Sequence, residues 1–143
     1  YDTWENFERG FTTINIPIIR YADVLLIFAE ADNMSKGAPS QAAVDAINSI
    51  IDRANDYQPN PNYPLLSTNM TKEAFDKAVI HERSLELCFE YDRWNDIVRK
   101  RILYEVTREE YKQNYSENDY LFPIPESEIR LNPNMKQNPG YQD

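Results

Sequence analysis

A run of charge is set inside an apolar helical pattern: His81-Glu82-Arg83-Ser84-Leu85-Glu86-Leu87-Cys88-Phe89-Glu90-Tyr91-Asp92-Arg93-Trp94-Asn95-Asp96-Ile97. Projected at about 100° per residue, Glu82 and Glu86 share a face with Phe75, Val79 and Phe89, and Arg83 and Glu90 lie at its margin. Ile80, Leu87 and Tyr91 form a second apolar strip. Only a narrow polar arc remains, with Lys77, His81 and Ser84. A carboxylate among core-facing side chains is costly unless it is paired. The pattern therefore predicts a central helix whose glutamates point toward protein and meet cations there.

Two chemistries could keep such residues. Glu82 and Glu86, one turn apart, could form an acid/base pair of the kind used in glycoside hydrolysis. Alternatively, Glu82, Glu86 and Glu90 are answered by Arg20, Arg83, Arg93 or Arg99 in an internal ion-pair lattice. Arginine suits that role because its planar fork satisfies several lone pairs at once, and there are enough arginines nearby for every glutamate. The lattice is the better supported reading. The first helical pattern repeats the habit: Arg20, Asp23, Ile27 and Glu30 share a stripe opposite Tyr21, Leu25 and Phe28. Asp23 is expected to pair with Arg20, and Glu30 with a neighbouring element. Arg20, Asp23, Glu30, Glu82, Arg83, Glu86, Arg93 and Asp96 are thus the candidate structural ion-pair residues, expected to form one network.

Prolines and periodicity divide the rest of the chain. Residues 1–18 read as a non-helical lead-in. A helix is predicted from Ile19 or Arg20 to about Asn33, with Tyr21, Val24, Leu25 and Phe28 as its core stripe. Gly37 and Pro39 supply stop and restart signals. In the next helix, from Ser40 to Ala54, Ala43, Ala46, Ile47, Ile50, Ile51 and Ala54 form one apolar stripe. The short connection makes these helices antiparallel neighbours, and the alanines allow close approach. A Pro/Asn loop follows, from Tyr57 to Asn69. Thr71 caps a third helix predicted to reach about Tyr91. A fourth, or a kinked continuation, runs from Asp92 or Arg93 to about Tyr104, and a short one is expected within 107–114. The helical core is thus 19–114, and the Pro-rich tail 120–143 admits little more than one turn, at Pro125 to Ile129. The fold class is all-α.

Several functions are disfavoured. The net charge of −9 repels phosphate backbones, so nucleic acid is not an expected partner. His81 is the only histidine, and Leu85 stands where a zincin motif needs its second one, so no metal site is expected. Three glycines cannot build a phosphate loop, and no cofactor is called for. Cys88, between Leu87 and Phe89, reads as a buried small hydrophobe. Ser116 to Asp119 reads as a solvated turn. Sugar binders use exposed aromatic faces beside amides and carboxylates. The weak candidates for such a platform are Trp4, Phe7 and Phe11 in the lead-in and Tyr57 and Tyr63 in the Pro/Asn loop.

Four segments, in order, resemble the SusD/RagB family. Arg20-Tyr21-Ala22-Asp23-Val24-Leu25-Leu26 with Ala29-Glu30-Ala31 resembles its "RYADVLL…AEA" helix. Ala46-Ile47-Asn48, Ile51 and Arg53-Ala54 resemble the following helix. Glu82 to Leu87, Phe89-Glu90 and Arg93 to Ile97 resemble "ERR.EL.FE..RW.DL". Leu121-Phe122-Pro123-Ile124-Pro125, Asn132-Pro133 and Gln137-Asn138-Pro139-Gly140-Tyr141 resemble the closing "PIP…NP…QNPGY". Ser84, Tyr91 and Asn95 depart from the family pattern.

The resemblance implies tetratricopeptide-like helix pairs with long irregular loops, and residues 1–143 as the C-terminal portion of a longer domain. It implies no enzymatic activity. It implies glycan binding at the surface of the outer membrane, by a lipoprotein anchored through an N-terminal cysteine that is not in this chain. The implied partners are an oligosaccharide and a SusC-like TonB-dependent transporter, in nutrient uptake and polysaccharide utilisation. The matched motifs belong to the framework, so no ligand residues carry over. A helical-repeat module that binds protein or peptide is the alternative, and a glycosidase the third reading.

Overall fold

The computed structural model describes residues 18–90 and 92–141, and all regular structure among them is helical. The chain forms two compact units that meet in sequence at Phe89 and Glu90.

The first unit is built on three helices: α1 (Tyr21–Lys36), α2 (Gln41–Ala54) and α3 (Lys72–Glu86). Gly37 ends α1 in the left-handed region at φ 76°, and its N–H returns to the Asn33 carbonyl. The Asp32 carboxylate holds the turn, accepting from Lys36 at 2.5 Å and from the Ser40 N–H at 3.2 Å. Ser40 then caps α2 and Thr71 caps α3, each hydroxyl accepting from a backbone N–H three residues on. Asn33, fully buried, ties the end of α1 to the start of α3 by donating to the Lys72 carbonyl.

α1 packs on both α2 and α3. The core comprises Ala22, Leu26 and Ala29 of α1, Ala43, Val44, Ile47, Ile50 and Ile51 of α2, and Phe75 and Val79 of α3. The α2 stripe is as expected through Ile51, although Ala54 is exposed. The α1 stripe is not. Tyr21, Val24 and Phe28 are 75, 48 and 44% exposed, and the buried face is Ala22, Leu26 and Ala29. An antiparallel pair gains its contact where small side chains let the helices approach, so the alanine face is the one that turns inward. The larger residues are left on the other side.

α3 stops earlier than periodicity predicts. Leu87 is its C-cap, and Phe89 lies at φ 66° and is 96% exposed. Cys88 is exposed rather than buried, because it lies past the helix end and Leu87 is the residue that turns into the core.

The second unit carries α4 (Arg93–Lys100), α5 (Leu103–Val106), α6 (Glu109–Lys112), a 3₁₀ turn (Glu117–Tyr120) and α7 (Glu126–Leu131). Arg101, at φ 56°, ends α4, so the predicted continuation to Tyr104 is broken into two helices. Buried Tyr120 accepts the Leu103 N–H at its hydroxyl and carries Arg101 over its ring. Proline removes donors from the extended segment at 121–125, and side chains from the closing motif satisfy the backbone instead. The Gln137 amide accepts from the Ile124 N–H at 2.7 Å and donates to its carbonyl at 2.9 Å. Asn138 donates to the Phe122 carbonyl, and the Tyr141 hydroxyl to that of Leu121. Gly140 sits at φ 90°, where an added Cβ would come within 2.8 Å of the Asn118 side chain.

Candidate functional site

The charged face of α3 resolves into three linked arrangements in the first unit. Glu86 is gripped from two sides: it accepts from Arg20, the residue before α1, at 2.7 Å and from Arg53 of α2 at 2.5 Å. Arg20 also donates to the Glu86 carbonyl at 2.7 Å, so one guanidinium closes the end of α3. Burial alone would raise the Glu86 carboxyl, but the two guanidinium groups outweigh it and hold the pKa below the ordinary glutamate value. Buried Arg83 pairs with Asp23 at 2.7 Å, a cross-helix bond in place of the expected local pairing of Asp23 with Arg20.

Glu82 departs from expectation. It is buried, and the partner that the structure gives it is the Tyr63 hydroxyl, not an arginine. The guanidinium groups are committed to Glu86 and Asp23, and Tyr63 arrives from the Pro/Asn loop over α3. Desolvation raises the Glu82 carboxyl above its usual range despite that bond, and desolvation together with the carboxylate raises the Tyr63 phenol. Two carboxyls on consecutive turns are thus pushed in opposite directions. Arg53 and Tyr63 were absent from the expected network. Arg53 falls within the α2 motif, and only folding shows that it reaches Glu86.

Glu30 is half-buried on α1. Arg93 and Asp96 lie on α4 in the second unit, where buried Asp96 pairs with Arg99 at 2.7 Å. Of the eight candidates, Arg20, Asp23, Glu30, Glu82, Arg83 and Glu86 lie in the first unit, and Arg93 and Asp96 in the second. His81 is exposed, and among the described residues no cluster of His, Cys, Asp and Glu could hold a metal ion.

Of the aromatic candidates, Trp4, Phe7 and Phe11 lie outside the described residues. Tyr57 and Tyr63 line one pocket of about 480 Å³, within the range of about 300–1,000 Å³ typical of small-molecule sites. Its wall is mainly apolar, from both tyrosines and the loop prolines, with Asp52, Asn55, Gln58 and Asn60 as polar members. The loop is firmly held. Asn48 clamps Leu66 through both amide atoms, at 2.8 and 2.9 Å. Asn55 donates to the Tyr63 carbonyl and accepts from Asn60. The Tyr57 N–H returns to the Asp52 carbonyl at 2.8 Å. Asp56 and Tyr57 lie side by side in the left-handed region, at φ 54° and 55°. A bulky aromatic residue is rare there.

A framework of packed helix pairs supporting loop-built pockets defines a class of helical scaffold protein. The sequence profile of the SusD family matches residues 1–141, and the chain belongs to that family. It is 39% identical over 142 residues to SusD-like protein P2 of Formosa agariphila, covering 95% of this chain and 28% of that protein. SusD-like protein P25 of the same organism is 30% identical over 148 residues, covering 96% of this chain and 27% of that one. A crystal structure of a SusD superfamily protein from Parabacteroides distasonis aligns with a TM-score of 0.76 at 32% identity, over 92% of this chain and 28% of that one. A SusD homologue from Bacteroides thetaiotaomicron aligns with a TM-score of 0.73 at 30% identity, over 93% and 30%. The chain thus spans little more than a quarter of these proteins. The fold is all-α, with tetratricopeptide-like helix pairs. Among the described residues no helix is long and apolar enough to cross a membrane.

Proposed function

We propose that this chain is the C-terminal portion of a non-catalytic glycan-binding lipoprotein at the outer-membrane surface, which passes oligosaccharide to a SusC-like TonB-dependent transporter. Membership of the SusD family over nearly the whole chain carries this reading. The geometry around Glu82 and Glu86 is in keeping with it. One carboxylate is engaged by two arginines and the other by a tyrosine, which is the arrangement of a framework rather than of an acid and base awaiting a substrate. The pocket in the loop above them offers rings and amides to a sugar.

The test is calorimetric titration of the full-length protein with an oligosaccharide panel, alongside a sugar-release assay and affinity purification from the native membrane. Saturable binding without release, and recovery of a TonB-dependent transporter, are expected. Release of reducing sugar at enzymatic rates would refute the non-catalytic reading. Binding of peptides but of no glycan would favour the interaction module.

A further inference from the structure

We infer that the pocket between Tyr57 and Tyr63 is a subsite for an uncharged sugar ring, with the exposed ring of Tyr57 as its stacking platform. This inference rests on the glycan-binding reading and gives it a place and a chemical class.

The first ground is Tyr57 itself. Its backbone is in the left-handed region, which glycine occupies without strain and which is unfavourable for a bulky residue. The side chain is 65% exposed, so packing returns little of that cost. A tyrosine at such a position, on the wall of a pocket, has its use in the pocket.

The second ground is the rigidity of the wall. Tyr63 is fixed at its hydroxyl by Glu82, at its carbonyl by Asn55, and at its N–H by the Asn60 carbonyl. Asn48 pins the following strand of loop to α2. A ligand meeting this surface pays little to order it, which matters for weakly bound, strongly hydrated sugars.

The third ground is charge. Among the described residues no lysine, arginine or histidine lines the pocket, and its one charged member is Asp52. Arg53, next to Asp52 on α2, is engaged by Glu86. A uronate or a sulfate ester would lose its hydration here and meet a carboxylate instead of a cation. A neutral pyranose would stack its C–H face on an aromatic ring and offer hydroxyls to Asp52 and to the amide of Gln58.

The full-length protein is titrated with neutral hexose and pentose oligosaccharides and with uronate and sulfated oligosaccharides of equal length. Wild type is compared with Tyr57→Gly, Tyr57→Trp and Asp52→Asn, and each variant's thermal unfolding is recorded. Neutral glycans are expected to bind. Tyr57→Gly should weaken them about tenfold, or about 1.4 kcal/mol, with the melting temperature unchanged or raised because the left-handed strain is relieved. Tyr57→Trp should restore the affinity. Asp52→Asn should narrow the preference for neutral over anionic glycans. Neutral glycans bound equally by wild type and Tyr57→Gly would overturn the subsite and leave the glycan reading standing. Anionic glycans bound selectively, and lost in Tyr57→Gly, would overturn the neutral class. No binding across the panel would overturn the glycan reading and the subsite with it. A drop in melting temperature with Tyr57→Gly would make the residue structural and also overturn the inference.

Discussion

Glu82 and Glu86 have the same chemistry one turn apart, yet neutralising them should have unequal consequences. In Glu86→Gln the amide keeps the shape and loses the charge. Each arginine stands in direct contact with the carboxylate, at 2.7 and 2.5 Å. At an effective dielectric of about 20, a unit pair about 4 Å apart attracts by about 4 kcal/mol before desolvation is counted. The Glu86 side chain is 11% exposed, while Arg20 and Arg53 are 27 and 49% exposed, so both cations can regain water. The bond from Arg20 to the Glu86 carbonyl also survives. The loss therefore lies between that of a surface pair, up to about 1 kcal/mol, and a broken buried pair, about 3–5 kcal/mol, and should be about 2 kcal/mol. In Glu82→Gln a desolvated charge leaves, an acceptor for Tyr63 remains, and the amide N–H groups lack an assigned partner. These effects offset one another, and the expected change is about 1 kcal/mol or less. Native-state hydrogen exchange on the full-length protein reads both, since local opening is measured whatever the rest of the chain does. Amides of α3 should exchange about 30-fold faster in Glu86→Gln, and at most about fivefold faster in Glu82→Gln. Equal acceleration in the two variants, or greater acceleration in Glu82→Gln, would refute the assignment of Glu86 as the paired carboxylate and Glu82 as the desolvated one.

The same assignment fixes opposite pH dependences. The folded pKa of Glu86 is depressed, so its stabilisation is complete above the ordinary glutamate value and is lost as pH falls through the folded value; Glu86→Gln should remove that acid-side loss in a melting series. The folded pKa of Glu82 is raised, so its contribution is complete below the ordinary value and is lost as pH rises through the folded one; Glu82→Gln should flatten the series there. Gly140→Ala should destabilise the second unit by about 2 kcal/mol or more, from left-handed backbone and a 2.8 Å clash with Asn118, read as faster exchange of the Leu121 and Ile124 amides; unchanged exchange would refute it. Asn48→Ala should release the Leu66 N–H and cost about 1–2 kcal/mol locally, with protection lost at Leu66 and kept in the core of α2.

The antiparallel pair α1/α2, the caps at Ser40 and Thr71 and the glycine stop at Gly37 follow from local rules. Each depends on a few neighbouring residues and on helical period, and those are written in the chain. The presence of charge on the inner face of α3 was equally legible, because Glu82 and Glu86 share a helical face with Phe75 and Val79. The buried face of α1 was not. Periodicity put the larger residues Tyr21, Val24, Leu25 and Phe28 on the core stripe, but close approach selected Ala22, Leu26 and Ala29.

Partner choice was also a tertiary decision. From sequence, any arginine could answer any glutamate. Which pairs form depends on where helix axes cross, and that set Arg83 on Asp23, Arg53 and Arg20 on Glu86, and a tyrosine from a distant loop on Glu82. The end of α3 shows the same division. Apolar period runs on to Tyr91, yet Arg20 caps the Glu86 carbonyl and the chain turns off at Leu87. The sequence by itself determined that this is an all-helical member of the SusD family with paired charges in its frame. Only the tertiary structure decided which charges pair and which carboxyl is left desolvated, and that Tyr57 stands strained beside a pocket, because those depend on distances between residues that sequence spacing does not constrain.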